Sequence, residues 1–313
     1  MALAAETEEL DFHISPLLKT GGLGVQIRQS LNDLIRDTHG ETIIKLRAFV
    51  AGAGDARRVE AEVAQLFTEH KLPLPVLSIL QVGALGDQAA QVVIEAVVST
   101  HRIVNPDGLA FLAGHMGPSL NQALERLKTS ATAAGIAPEG VLTCTCFTSR
   151  IDDPNGARES VRAYFPKSQV NVVEAQRDPA SDLSTCEAVG QLSRSSPPGP
   201  VVWLKHSRTT LVASHRLVFT GLQLTFGAYL DDAHEAFSRL QRAASALQPV
   251  EAPVEVNAFP LDASAGSALL KTTSVPASVF TVQIVEGLPS IDASAGIEAV
   301  LAPDVESPVS LPD

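Results

Sequence analysis

One short pattern recurs three times in this chain, and it constrains the fold more than any other feature. Val92-Val93-Ile94-Glu95-Ala96-Val97, Ser184-Thr185-Cys186-Glu187-Ala188-Val189 and Ala295-Gly296-Ile297-Glu298-Ala299-Val300 each carry a Glu-Ala pair followed by Val. A β-like run led by proline precedes each one: Pro75-Val76-Leu77-Ser78-Ile79-Leu80, Pro166-Lys167-Ser168-Gln169-Val170-Asn171 and Pro276-Ala277-Ser278-Val279-Phe280-Thr281. Recurrence of the same motifs in the same order is the mark of a tandem architecture. The expected organisation is three diverged copies of one small unit, residues 1–104, 105–200 and 201–302, with a frayed tail over 303–313. Any function would then sit in the clefts between units.

The length of 313 residues leaves room for two or three domains. With 45% hydrophobic residues and only 4% aromatic ones, the core must be mostly aliphatic. The formal net charge of −12 argues against nucleic acid or an anionic membrane as the main partner, because both call for a basic surface. Three cysteines are too few for a disulfide framework, so a reducing, cytoplasmic setting is expected. The first ten residues lack the basic and apolar regions of a secretory signal. No stretch reaches the roughly 18 apolar residues of a membrane-spanning helix.

Periodicity assigns the elements. In the first unit, helices are expected over 26–39 and from Asp55 to 69, with strands over 42–50, 76–82 and 91–98. The second unit gives strands over 109–115, 141–148, 169–174 and 185–191. Its helices are a Ser119-capped one to 134 and another ending near Tyr164. The run Ser193–Pro200 reads as a linker. The third unit gives strands over 217–223, 254–259, 279–285 and 297–301, with helices over 231–247 and 265–272. The fold class is therefore α+β. Each unit is a sheet with two helices on one face, so its other face needs a cover, and three units could cover one another.

In this order the motifs resemble those of the YjgF/RidA family, also called L-PSP endoribonuclease-like. Ile43-Ile44-Lys45-Leu46-Arg47-Ala48-Phe49-Val50 is similar to its Val-Val-Lys-Val-Thr-Val-like strand. Gln65-Leu66-Phe67 and Ala163-Tyr164-Phe165 resemble its helix end, and the Glu-Ala pairs its last strand. Ala113-Gly114-His115 and Thr220-Gly221-Leu222 loosely match its Ser-Gly-Gln strand end. The resemblance implies a pseudo-trimer in one polypeptide, with sheets inside, helices outside and ligand clefts between units. It also implies hydrolysis of enamines or imines as the activity of active members. Related trimeric chorismatases suggest a second chemistry.

The departures from the family are informative. The family's arginine after the proline binds the substrate carboxylate, a task suited to the bidentate guanidinium. Here that position aligns with Leu77, Ser168 and Ser278. Glu95, Glu187 and Glu298 retain the family's acid and are the candidate catalytic residues, for general acid/base work; the alternative is a structural acid. Gly114, His115, Gly221, Arg47 and Arg150 are the candidate substrate-binding residues, with Lys45 on the same strand face as Arg47. Cys144 and Cys146 read as buried small hydrophobes and not as metal ligands, and Cys186 should face away from Glu187. Lys205-His206-Ser207-Arg208 with His215-Arg216 is a basic cluster fit for a small anion or a turn. No phosphate-binding glycine loop and no nucleophile elbow is present.

The expected function is a RidA-like binder of a small carboxylated metabolite, acting as a monomer without cofactor or metal. Two alternatives make distinct structural demands. An enamine/imine hydrolase or chorismatase-like enzyme needs a Glu facing an Arg across a unit boundary. An inert scaffold needs apolar clefts and no perturbed acid.

Overall fold

The computed structural model describes residues 2–5, 10–52, 54–55, 57–99, 109–175, 182–192, 201–204, 209–212, 217–227, 230–245, 253–273 and 279–301. The elements through the first glutamate repeat are β1 (Ala2–Ala5), β2 (Leu10–Ile14), α1 (Leu23–Asp37), β3 (Thr42–Ala51), α2 (Arg57–Glu69), β4 (Val76–Val82), β5 (Ala84–Leu85) and β6 (Val92–Ser99). There follow β7 (Leu109–Gly117), α3 (Leu120–Ala133), β8 (Val141–Thr148), α4 (Pro154–Tyr164), β9 (Gln169–Glu174) and β10 (Ser184–Gln191). The chain continues with β11 (Val201–Leu204), β12 (Thr209–Val212), β13 (Val218–Thr220), β14 (Gln223–Thr225), α5 (Leu230–Ser245), β15 (Pro253–Pro260), α6 (Ala263–Thr272), β16 (Phe280–Ile284) and β17 (Ala295–Leu301).

These strands form three sheets, ordered β2-β6-β3-β4, β1-β7-β10-β8-β9 and β11-β12-β13-β17-β15-β16-β5, with β14 also on β17. One motif recurs in all three. The strand bearing the repeated Glu (β6, β10, β17) pairs antiparallel with a central strand (β3, β8, β15). That central strand pairs parallel with the next one (β4, β9, β16). Parallel neighbours need a crossover, and α2, α4 and α6 supply it. Each central strand also carries a bulge at the same place, where pairing skips Ile44, Leu142 or Val254. An extra residue there resets which side chains face which side. Beyond the first bulge, Lys45, Arg47 and Phe49 face away from the helices, while Leu46, Ala48 and Val50 pack beneath α1 and α2.

Each sheet buries one face under its own helix pair. Leu31, Leu66 and Phe67 cover the first, Leu124, Leu127 and Val161 the second, and Ala236, Leu240 and Leu269 the third. The other faces of the three sheets meet one another. Phe49, Phe147 and Phe259, one per sheet, stand edge-on with centroids 5.9, 6.0 and 6.5 Å apart. Further along the same faces, Phe111 and Phe219 pack with Val97, Val189 and Phe12. The polar site lies between these two apolar layers.

Several sequence expectations need adjustment. The strand expected over 217–223 is two short strands, because the Leu222 backbone N–H leaves the ladder and donates to Asn171 Oδ1 at 2.8 Å. The helix expected to end near Tyr164 begins at Pro154, with Asp153 capping it and Pro154 at the first helical position. β2 was not anticipated, although Leu10-Asp11-Phe12-His13-Ile14 alternates with the period of a strand. The Ser193–Pro200 linker, the 303–313 tail and the cluster of Lys205, His206, Ser207, Arg208, His215 and Arg216 lie outside the described residues, as does the expected unit boundary between 104 and 105. Among the described residues, no helix is long and apolar enough to cross a membrane.

Candidate functional site

Strand register explains how the site assembles. Arg47 lies opposite Glu95 on one side and Ser78 on the other. Thr145 lies opposite Glu187 and Asn171. Asn257 lies opposite Glu298 and Thr281. The three glutamates therefore occupy matching positions, while their strand neighbours are Arg, Thr and Asn. The same register corrects the alignment of the proline-led runs. Leu77 is matched by Val170 and Phe280, and not by Ser168 and Ser278; Ser278 lies outside the described residues. All three matched positions are apolar and pack in their own helix-side cores.

The glutamates are linked in a ring that passes from sheet to sheet. Thr281 donates to Glu95 at 3.0 Å, the Asn171 amide donates to Glu298, and Arg47 donates to Glu187, whose charged form the neighbouring Ser78 also favours. Each acid thus takes a hydrogen bond from a side chain on a different sheet. Ser78 Oγ in turn accepts from the Gly114 backbone N–H at 2.9 Å. A side chain at Gly114 would put its Cβ 2.9 Å from Thr185, which explains the glycine.

Arg47 sits at the centre. Its Nε donates to Glu187 Oε1 at 2.7 Å, and Nη2 contacts the same oxygen. Nη1 reaches Glu95 at 3.3 Å, Glu255 at 3.4 Å and Glu298 at 3.7 Å. Lys45 adds a contact to Glu187 Oε1 at 3.1 Å. Four carboxylates thus share two cations where water is scarce: Glu187 is 2% exposed and Lys45 5%.

The acids respond differently to this environment. Burial alone would raise Glu187, but Arg47 and then Lys45 outweigh it and hold the carboxyl at about 2. Glu298 is pushed up to about 7, mainly by burial; Arg47 offsets part of that, while Glu255 and Glu187 add to it. Glu95 is raised well above the usual range by burial and by Glu255. The centre therefore sets an ionised Glu187 beside a Glu95 biased toward its protonated form and a Glu298 that titrates near neutrality. Burial works against the charge on Arg47, but the carboxylates outweigh it, Glu187 foremost, so the guanidinium stays charged.

Beside this cluster lies a cavity with about 50 Å³ of space for water-sized molecules, bounded by Lys45, Arg47, Glu95, Glu255, Glu298, Asn171 and Asn257, with Phe12, Phe111 and Phe219 on its apolar side. At ~10–15 Å³ per water, this is room for a few waters or one very small ligand.

The structure sorts the candidates clearly. Glu95, Glu187, Glu298, Arg47 and Lys45 come together. Arg150 does not: it lies on the surface, 61% exposed, paired with Asp152 at 2.9 Å. His115 and Gly221 do not border the central cavity. The His115 imidazole is shifted down by burial, and the Gly221 carbonyl accepts from Gln223. Glu255, Asn257, Asn171 and Thr281 were missed. The only hint was Glu255 and Asn257 alternating with valines on the strand side that also carries Phe259. Cys186 faces away from Glu187 as expected, into the helix-side core. The cysteines depart from expectation, however: Cys146 and Cys186, directly opposed on β8 and β10, form a disulfide, leaving Cys144 as the free, buried thiol.

No protein-family profile matches the chain, and no curated protein sequence does. Among solved structures, a chorismatase matches with a TM-score of 0.57 at 11% identity, over 94% of this chain and 98% of its own. The YjgF gene product of E. coli covers 31% of this chain and 86% of its own, with 22% identity and a TM-score of 0.28. E. coli TdcF, solved with bound serine, covers 31% of this chain and 84% of its own, with 21% identity and a TM-score of 0.27. At these identities the likeness concerns the fold alone: this chain has the mixed α/β fold of the chorismatase over almost its full length.

Proposed function

We propose that the chain is three diverged RidA-like units joined as a single-chain pseudo-trimer, and that its three equivalent acid positions have merged into one central binding centre. The recurring strand order, the three matching bulges, the Phe49–Phe147–Phe259 triangle and the ring of hydrogen bonds support the first part. The second part rests on one observation: Arg47 is already engaged by Glu187. A guanidinium so occupied offers little to an incoming carboxylate, and the remaining wall is acidic. The carboxylated metabolite expected from the sequence is therefore replaced by a small neutral or basic nitrogen compound, an amine or imine of a few heavy atoms. Glu95, whose burial favours its protonated form, and Glu298 line the cavity where such a nitrogen would sit, and Glu298, titrating near neutrality, is suited to general-acid work.

The contact of Glu187 with Arg47 and Lys45 spans 140 and 142 residues, and a Glu facing an Arg over that separation supports the catalytic alternative. Imine hydrolysis is accordingly the reaction to test. Hydrolysis of a small uncharged imine, N-isopropylidenemethylamine, by water to acetone and methylamine is followed with wild type and Glu298→Gln, alongside calorimetric titration with methylammonium and acetate. Acceleration lost in Glu298→Gln supports an enzyme. Methylammonium binding without acceleration supports a binding protein. Failure of both, or tighter binding of acetate, overturns the reading and leaves a structural hub, which the small volume of the cavity favours as the second reading.

A further inference from the structure

We propose that Asp11, His13 and Glu41 form a divalent transition-metal site at the edge of the first sheet, separate from the central cavity. Asp11 and His13 are two apart on β2 and so share a face. Phe12, between them, points the other way and lines the central cavity. Glu41 arrives from the turn between α1 and β3, where His39 and Gly40 adopt positive φ of 49° and 94° and swing the chain back toward the sheet. One carboxylate oxygen from each acid and one imidazole nitrogen lie within 4.8 Å of one another. Ligand atoms on a shared ion at ~2.1 Å stand roughly 3–3.5 Å apart, so a rotamer adjustment of about 1 Å would close the set.

A second observation points to a ligand. His13 Nε2 is buried and has no hydrogen-bond partner. Buried polar atoms nearly always have one, and an exception calls for an explanation such as an ion. Among the described residues, the side chains of Asp11, His13 and Glu41 show no hydrogen bond or ion pair, so the three are not simply satisfying one another. Imidazole nitrogen with two carboxylate oxygens suits Zn²⁺ or Mn²⁺ and leaves coordination positions open for water. An ion here would tie the edge strand β2 to the turn leading into β3, the strand that carries Lys45 and Arg47.

The test is calorimetric titration of the full chain with ZnCl₂ and MnCl₂, with MgCl₂ as comparison, for wild type, His13→Ala, Asp11→Asn and Glu41→Gln. Asp11 is exposed, and His13 and Glu41 are partly exposed, so the variants should fold, which circular dichroism checks. One saturable site is expected for Zn²⁺ or Mn²⁺, at least about tenfold weaker in His13→Ala and weakened in both acid variants. Glu298→Gln should bind the ion as wild type does. Absence of saturable binding, or binding indifferent to His13→Ala, overturns the proposal; the second outcome would place the ion elsewhere, for instance at the free thiol Cys144.

Discussion

Arg47 Nε and Nη2 both reach a single oxygen of Glu187, joining β3 to β10 across 140 residues of sequence. Breaking a buried pair by removing one partner leaves a charge with no water to receive it and typically costs about 3–5 kcal/mol. Arg47→Met should lose stability in that range by urea unfolding. Arg47→Lys should lose less, because it keeps the charge but gives up the fork of donors. An Arg47→Met variant within about 1 kcal/mol of wild type would show that water reaches the centre and that Arg47 does not organise it.

Phe49, Phe147 and Phe259 occupy matching positions in the three sheets and meet edge-on. Removing any one ring opens a cavity that its neighbours cannot fill. Alanine substitution should cost about 3–5 kcal/mol at each position. The three costs should be similar, because the surroundings are similar. A double-mutant cycle on Phe49 and Phe147 should return a coupling of roughly 0.5–1.5 kcal/mol. Very unequal costs would count against the equivalence of the three sheets.

The Cys146–Cys186 disulfide closes a separation of 40 residues. Loop-closure entropy for a span of that length predicts a contribution of up to about 4 kcal/mol. Thiol titration of the denatured, unreduced protein should detect Cys144 alone, and reduction should expose all three cysteines. A reductant should also lower the urea midpoint. Three titratable thiols before reduction would refute the bond.

Much of this fold was legible in the sequence, and the reason is local. Val76–Val82, Val141–Thr148 and Gln169–Glu174 match their expected ends because β-branched runs there are bounded by turn residues. Ser119 was readable as a cap because its hydroxyl accepts from the Gln122 N–H, a contact three residues away. What escaped was set by register. No local signal shows that pairing skips Ile44, Leu142 and Val254, yet those bulges decide which side chains face the centre. Glu255 could be placed beside Arg47 only once β15 had a position against the other sheets. The disulfide was missed for the same reason: whether Cys146 opposes Cys186 depends on the pairing of β8 with β10.

Glu187 and Glu298 respond to pH in opposite senses. The carboxyl of Glu187 is depressed from 4.5 to about 2, because Arg47 and Lys45 overcome its burial. The stability it confers is present above its unfolded value and is lost as pH falls from roughly 4.5 toward 2. Glu298 is raised from 4.5 to about 7, chiefly by burial. Between those values the folded chain keeps a proton that the unfolded chain has released, so stability declines as pH rises through the window and levels off above it. At ~1.4 kcal/mol per pH unit the decline is at most about 3.5 kcal/mol, and less if the centre relaxes. Glu298→Gln removes this titration. Urea unfolding at pH 5 and pH 8 should therefore show a smaller loss in Glu298→Gln than in wild type. Glu95, raised in the same direction, should leave a residual slope in the variant. Equal slopes in the two proteins would mean that Glu298 is ionised across the whole range, and with that the case for Glu298 as a proton donor would fail.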